Sequence, residues 1–350
     1  MNSSVPHARA SLSSRLGLGE KLFASGNERR FADAIERGLD AVEAGLLGQL
    51  GFADELADVT SRYLLQAGGK RIRPTLTLLT AQLGEGATAD VITAAQAIEI
   101  THLASLYHDD VMDDAGMRRG VPSAQLVWGN SVAILTGDLL FARASKLIAS
   151  LGDRALVLQA NTFERLCLGQ LHETLGPREA DPIEHYLGVL ADKTGSLIAT
   201  AAEVGVIFAN AEEAYLEPVR VFGEKIGVAF QLIDDVIDLA PDADDTGKTA
   251  GTDLRAGVAT LPLLQLQAMA PGDAEAAALL QRLESALEAD DERALTAAIA
   301  QLRAHEATER TLAEARRWAD EAVAALAPLP EGPVRKALTR FAQTIVERSR

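Results

Sequence analysis

The heptapeptide HDDVMDD, residues 108–114, places Asp109, Asp110, Asp113 and Asp114 within one stretch of six positions. Two like charges about 4 Å apart repel by roughly 1 kcal/mol in water and roughly 4 kcal/mol at a protein surface, so such crowding calls for a cation. A second stretch, QLIDDVID at 231–238, repeats the spacing with Asp234, Asp235 and Asp238. On a helix, residues three and four apart share a face, so Asp109, Asp110 and Asp113 can converge, as can Asp234, Asp235 and Asp238. Carboxylates on rigid helices, with water in the remaining positions, suit Mg²⁺, which is held by few protein ligands and by substrate phosphates. One such cluster alone reads equally well as a solvated helix face. Two, each set among apolar residues, do not.

Basic residues supply the complement. GGKRIRP at 68–74 puts Lys70, Arg71 and Arg73 behind two glycines, and MRRG at 117–120 adds Arg118 and Arg119 just past the first aspartates. Guanidinium forks beside metal-binding carboxylates describe a phosphate site. Two other patterns are weaker. DADDTGKTAGTD, Asp242 to Asp253, loosely follows a calcium loop but has Asp where the bidentate Glu belongs. His102 and the His108–Asp109 pair would also suit a helical metal-dependent phosphohydrolase, a reading that leaves the second aspartate cluster and GGKRIRP unused.

The elements that carry these residues read as helices. Apolar residues recur at helical spacing through long segments such as DVITAAQAIEITHLASLYHDD, 90–110, and alternating strand patterns are almost absent. With 4% aromatic residues and abundant Ala and Leu, the composition favours helix over sheet. Breaks fall at 84–90, 120–130, 176–182, 241–253, 270–273 and 328–333, and none has the length of an interdomain linker. Residues 274–350 read as Ala-rich amphipathic helices packed outside the site. The polar first 20 residues are expected to be floppy, with residues 21–350 forming a single domain.

Composition narrows the function class. The 350 residues are 48% hydrophobic and 24% charged, enough to bury a large core. A formal net charge of −17 argues against nucleic acid or an anionic membrane surface as partner. The most apolar stretch, 195–209, contains Glu203 and is shorter than the ~20 residues of a membrane span. The one cysteine, Cys167, cannot close an internal disulfide, which fits a reducing cytoplasm.

From about residue 30 to 265 the chain resembles the trans-isoprenyl diphosphate synthases, the polyprenyl synthetase family. The likeness rests on GGKRIRP, HDDVMDDAGMRRGVPSA, GDLLFARA (137–144), DKTGSL (192–197), FQLIDDVIDL (230–239) and GKTAGTDLRAGVATLPLL (247–264). It implies an all-α fold, the isoprenoid synthase helical bundle around a central cavity, normally a homodimer, with Mg²⁺ bridging the two aspartate motifs. By that resemblance Asp109, Asp110, Asp113, Asp234, Asp235 and Asp238 hold Mg²⁺ against the diphosphate of an allylic substrate, clamped by Arg118, Lys193 and Lys248. Lys70, Arg73, His102 and Arg119, with Arg71 nearby, would hold isopentenyl diphosphate. Thr194 and Gln231 would line the reacting centre, and His108 would stand beside it without binding metal. Ala124 and Gln125 depart from the commonest pattern.

The implied reaction is head-to-tail condensation of the two diphosphates, in trans, needing positioning and electrostatics but no nucleophilic serine or cysteine. A terpene cyclase would have no use for the isopentenyl site, and a catalytically silent subunit would lack one aspartate motif. In the resembled family, bulky residues just upstream of the first motif stop elongation early. Ala104 and Ser105 occupy those positions here, about 6 to 7.5 Å below Asp109 at 1.5 Å rise per residue. Small residues there favour a long-chain product, such as a quinone side-chain precursor, over the farnesyl or geranylgeranyl alternatives. Tyr107 is expected to turn its ring away from the tail, into the dimer interface.

Overall fold

The computed structural model describes residues 26–240 and 250–348. The expected floppy start, Lys248 and most of the calcium-loop-like segment lie outside them. The described chain is helical apart from one two-stranded ribbon, so the all-α expectation holds. It falls into two compact units, and the divisions after residues 160, 199 and 220 lie inside continuous helices.

The first unit comprises the described chain up to Ala160, Thr200–Arg220 and Ala327–Thr344. Its helices are α1 (Gly26–Gln49), α2 (Glu55–Gln66), α3 (Ile72–Ala81), α4 (Ala89–Met112), α5 (Ala124–Trp128) and α6 (Asn130–Ser150). Helix α4 starts where Thr88 accepts a hydrogen bond from the Val91 N–H at 3.2 Å. It packs along α6 and against α1 and α3. Being enclosed by neighbours, it is apolar around much of its circumference and presents its motif from a rigid rod. Thr77 and Thr80 of α3 donate their hydroxyls to the carbonyls of Ala201 and Ala202 at 2.7 and 2.9 Å.

Between α4 and α5 lies the ribbon, β1 (Met117–Arg118) pairing antiparallel with β2 (Val121–Pro122). Its two-residue turn has positive φ at both Arg119 (53°) and Gly120 (77°), the geometry whose twist suits a tight hairpin. The ribbon was not legible in the sequence, because two residues per strand give no alternation to detect. Tyr63 of α2 anchors it, donating its hydroxyl to the Pro122 carbonyl at 2.8 Å.

The second unit comprises Asn161–Ala199, Val221–Leu326 and Ile345–Arg350. The helices that begin in one unit or the other are α7 (Asp153–Leu175), α8 (Pro182–Leu190), α9 (Ser196–Phe208), α10 (Leu216–Asp238), α11 (Thr252–Arg255), α12 (Leu261–Met269), α13 (Ala274–Glu288), α14 (Glu292–Ala304), α15 (Glu306–Ala325) and α16 (Pro333–Glu347). A single π-helical turn, Ala191–Gly195, joins α8 to α9. There α10 approaches backbone to backbone: a Cβ on Gly227 would lie 2.7 Å from the Gly195 Cα, so only glycine fits. Leu239, Leu266, Leu279, Leu283, Ile299 and Leu302 belong to a core that joins the end of α10 to α12–α14. No helix among the described residues is long and apolar enough to cross a membrane.

Candidate active site

The last turn of α4 delivers Asp109 and Asp110, and the helix stops at Met112. Asp113 is the C-cap, at φ −90° and ψ 0°, and Asp114 turns to φ 47°, so the first motif straddles a helix end instead of lying wholly on one helical face. Asp110 is completely buried. Its Oδ1 accepts from Arg118 Nε at 2.6 Å, while Oδ2 has no hydrogen-bond partner. Burial raises the Asp110 pKa, and Arg118 opposes that shift. Gln125, which departs from the commonest pattern, acts as a local clamp: its Nε2 donates to the carbonyls of Asp110 and Ala115 at 2.9 and 2.6 Å.

Beside this helix end the basic loop is drawn into the same unit. Gly68 and Gly69 take φ of 105° and 141°, and Arg71 begins α3 at φ 52°. A Cβ on Gly69 would sit 2.5 Å from Arg71 Nη1 and 3.0 Å from Arg119 Cζ, so glycine admits both guanidiniums against the loop. Arg119 Nη1 donates to the Leu64 carbonyl at 2.8 Å and to the Gly68 carbonyl. These bonds offset the cost of holding a non-glycine residue at positive φ. Arg73 has a buried Nε without a partner, and its pKa is pushed down to about 10, chiefly by desolvation. Desolvation also takes His102 well below the ordinary imidazole range, with Arg73, Arg119, Arg118 and Arg71 adding to the effect. Lys70 is exposed at the loop tip.

Arg71 differs from its neighbours. It is buried, and its guanidinium donates to Glu43, Glu99 and the carbonyls of Gly68 and Leu65. Its donors are taken up by groups of the protein itself. Tyr107 likewise turns away from the expected tail path, but inward and not to a dimer interface: its hydroxyl donates to the Thr60 carbonyl and accepts from the Leu64 N–H at 3.3 Å. His108 faces α6, with Nε2 3.0 Å from the Ile134 carbonyl and 3.4 Å from Asp138. Ala104 has no exposed surface, whereas Ser105 is partly exposed and donates its hydroxyl to the His102 carbonyl.

The second motif closes α10. Asp235 is 1% exposed; Oδ2 accepts from the Tyr186 hydroxyl at 2.8 Å and Oδ1 has no partner. Burial pushes its pKa up to about 8, against the lowering effect of the Tyr186 hydrogen bond. Asp234 lies 3.4 Å from the Arg348 guanidinium, which also stacks over Phe230. Asp238 accepts the N–H groups of Thr252 and Asp253 at 3.2 and 3.1 Å, tying down the chain where it returns. Lys193 and Thr194 stand on the π-helical turn, where Lys193 pairs with Glu173. Gln231 is half-buried one turn before Asp235. Tyr186, Glu99 and Arg348 were not singled out by sequence. The only local signal was Glu99, a carboxylate in the otherwise apolar run AIEIT.

Among the described residues no group of three or more acidic, histidine or cysteine side chains is already gathered as a metal cage. The orphaned, buried oxygens of Asp110 and Asp235 nonetheless fit a divalent cation that keeps much of its water shell, because each offers a lone pair with nothing else to receive it.

The polyprenyl synthetase family model matches residues 54–302. The chain belongs to this family. It is 43% identical over 321 residues, 91% of this chain and 94% of the relative, to nonaprenyl diphosphate synthase of Mycobacterium tuberculosis. Its fold matches a decaprenyl diphosphate synthase from Rhodobacter capsulatus with a TM-score of 0.80 at 34% identity, covering 92% of this chain and 99% of that one. It also matches geranylgeranyl pyrophosphate synthase from Corynebacterium glutamicum complexed with calcium and isoprenyl diphosphate, with a TM-score of 0.78 at 40% identity over 93% of this chain and 99% of that one. As a polyprenyl synthetase, the chain is a prenyltransferase with the all-α isoprenoid synthase fold.

Proposed function

We propose that this polyprenyl synthetase condenses isopentenyl diphosphate with an allylic diphosphate, in trans, to make a long-chain polyprenyl diphosphate. The observation that carries the site assignment is the gathering of Arg73, Arg119 and His102 beside a helix end whose buried Asp110 keeps an unshared oxygen. Asp109, Asp110 and Asp113, with Asp234, Asp235 and Asp238, would hold Mg²⁺. A divalent ion held there would supply positive charge against the departing allylic diphosphate. Arg118, Lys193 and Lys248 clamp that group. Lys70, Arg73 and Arg119 hold the second diphosphate, and His102, kept neutral by its surroundings, contributes a hydrogen bond without adding charge. Thr194 and Gln231 line the centre where the isopentenyl double bond attacks the allylic carbon as its C–O bond breaks. Loss of a proton then regenerates an allylic diphosphate one isoprene unit longer.

Relatives named for nonaprenyl and decaprenyl products support the long-chain reading, as does the residue upstream of the first motif. Each added unit buries five carbons, about 4 kcal/mol at ~0.8 kcal/mol per CH₂, so a tail with somewhere to go favours further rounds. Ser105 offers surface for that path, and Ala104 does not. Large apolar residues exposed on single helices support a homodimer, notably Ile134, Leu135 and Leu139 on α6 and Phe163, Leu168 and Leu171 on α7. The unpaired Cys167 and the acidic charge support a cytoplasmic protein.

Purified protein, labelled isopentenyl diphosphate and each allylic primer in turn, followed by sizing of the dephosphorylated products, tests the reading. Products well beyond twenty carbons are expected, and Ser105→Phe is expected to shift them toward fifteen or twenty, since its ring would block the tail about 6 Å below the first motif. Release of inorganic phosphate without chain growth would overturn the function. Unchanged product length in an active Ser105→Phe enzyme would move the floor elsewhere.

A further inference from the structure

We propose that Glu99 is a positioning residue for isopentenyl diphosphate, acting through Arg71 to hold the substrate-facing cations in place; this rests on the reading of the basic loop given above. Glu99 lies inside α4, 2% exposed, ten residues before the first aspartate. Its Oε1 accepts from Arg71 Nη1 at 3.3 Å, and Arg73 and Arg119 are close enough to act on its charge. Arg71 carries the contact outward: Nε donates to Glu43 of α1 at 2.5 Å, Nη1 to the Gly68 carbonyl at 3.0 Å and Nη2 to the Leu65 carbonyl at 3.2 Å. One guanidinium therefore joins α1, α4, the end of α2 and the glycine loop.

The need for such a device follows from charge. Arg71, Arg73, Arg119 and Arg118 all lie close enough for their charge to lower the His102 pKa, so four cations share this region before any diphosphate arrives. Left to themselves they would repel and swing into water. The buried Glu99 carboxyl stands behind them, bonded to Arg71; burial raises its pKa, and Arg71, Arg73 and Arg119 act to lower it again. Arg71 then occupies the inner layer, leaving Arg73 with an unshared buried Nε and Arg119 bonded to the same Gly68 carbonyl that Arg71 uses. The shared carbonyl couples the bridge to the turn residue of the ribbon. Glu43 is the outer end of the bridge, with its side chain 20% exposed against 2% for Glu99.

The test uses the full chain with Mg²⁺ and farnesyl diphosphate as primer, comparing wild type, Glu99→Gln and Glu43→Gln. Wild-type protein that fails to elongate overturns the function itself, a result visible before any variant is measured. For Glu99→Gln the expected result is a roughly 10- to 100-fold rise in KM for isopentenyl diphosphate, the scale for removing a partner that orients ligand-binding groups. The KM for farnesyl diphosphate should stay within about twofold, since the bridge touches none of the allylic clamp. Glu43→Gln, at the more exposed end, should give the same split at smaller amplitude and keeps the test decisive if Glu99→Gln does not fold. Arg71→Lys should resemble Glu99→Gln, because an ammonium cannot span two carboxylates and two carbonyls. Equal loss for both substrates, or an unchanged isopentenyl KM in folded Glu99→Gln or Glu43→Gln, would overturn the positioning role.

Discussion

The two aspartate motifs are near copies in sequence, and both bury their middle carboxylate almost completely, yet they sit on different supports. Asp110 faces a guanidinium, Arg118, whereas Asp235 faces a neutral phenol, Tyr186. Asp110 has a counter-charge built into the chain. For Asp235, neutral hydrogen bonds led by the Tyr186 hydroxyl offset burial only in part, and the carboxyl is pushed up to about 8. A shared motif thus does not imply a shared electrostatic support. Among the described residues, the buried carboxylate of the first motif meets a cation of the protein, and that of the second does not, because Arg348 lies against Asp234 instead.

The strongest challenge to that comparison removes a leading carboxylate at each end. Asp109→Ala and Asp234→Ala are each expected to lower turnover by a factor on the order of 10² or more, the scale for losing one strong electrostatic stabiliser. Steady-state rates at saturating substrates would measure it. Near-normal turnover in either variant would show that only one motif serves the metal.

A finer test exchanges the supports themselves. Tyr186→Phe should raise the Mg²⁺ concentration for half-maximal rate roughly tenfold, the lower end of the range for losing a group that orients a ligand. Arg118→Lys should leave that concentration within about twofold and chiefly raise the KM for the allylic diphosphate, because lysine loses the fork. If the two variants shift the Mg²⁺ curve alike, the distinction between the supports falls.

The smallest expected effect lies within the first region. Arg119→Lys should raise the KM for isopentenyl diphosphate about fivefold, with little change for the allylic primer, since one of two hydrogen-bonding arms is lost. Paired with Arg118→Lys, it asks whether adjacent arginines serve different diphosphates. Matching kinetic changes in both would merge the two roles.

Much of this was legible from local pattern. Helical periodicity marked α4 from Ala89 to Met112, and DDxxD spacing marked both carboxylate clusters, because each signal is contained within a few turns of chain. What stayed hidden depends on residues far apart in sequence. Tyr186 meets Asp235 across 49 positions, and Arg71 meets both Glu43 and Glu99 across 28. Nothing in RIRP says that its first arginine is bound between two carboxylates while its second keeps a buried Nε without a partner; that is decided by the left-handed backbone at Arg71 and by carboxylates on two other helices. The fate of Tyr107 was half legible: helical angle put it away from the tail path, but only tertiary packing reveals that it binds the backbone of α2.

The π-helical turn at Ala191–Gly195 has a consequence for length variation in the chain. Such a turn carries one residue more than the α-helical turn it replaces. Deleting any one of its five residues would let α8 run into α9 as a continuous α-helix, while rotating everything before the join by about 100° relative to everything after it. Lys193 and Thr194 would lose their present aim, and Tyr186 could not reach Asp235 while Gly195 stayed seated against Gly227. The surface loops at 176–181 and 270–273 can absorb a gained or lost residue at little cost; this stretch cannot, and its residue count is as much a part of the site as its side chains.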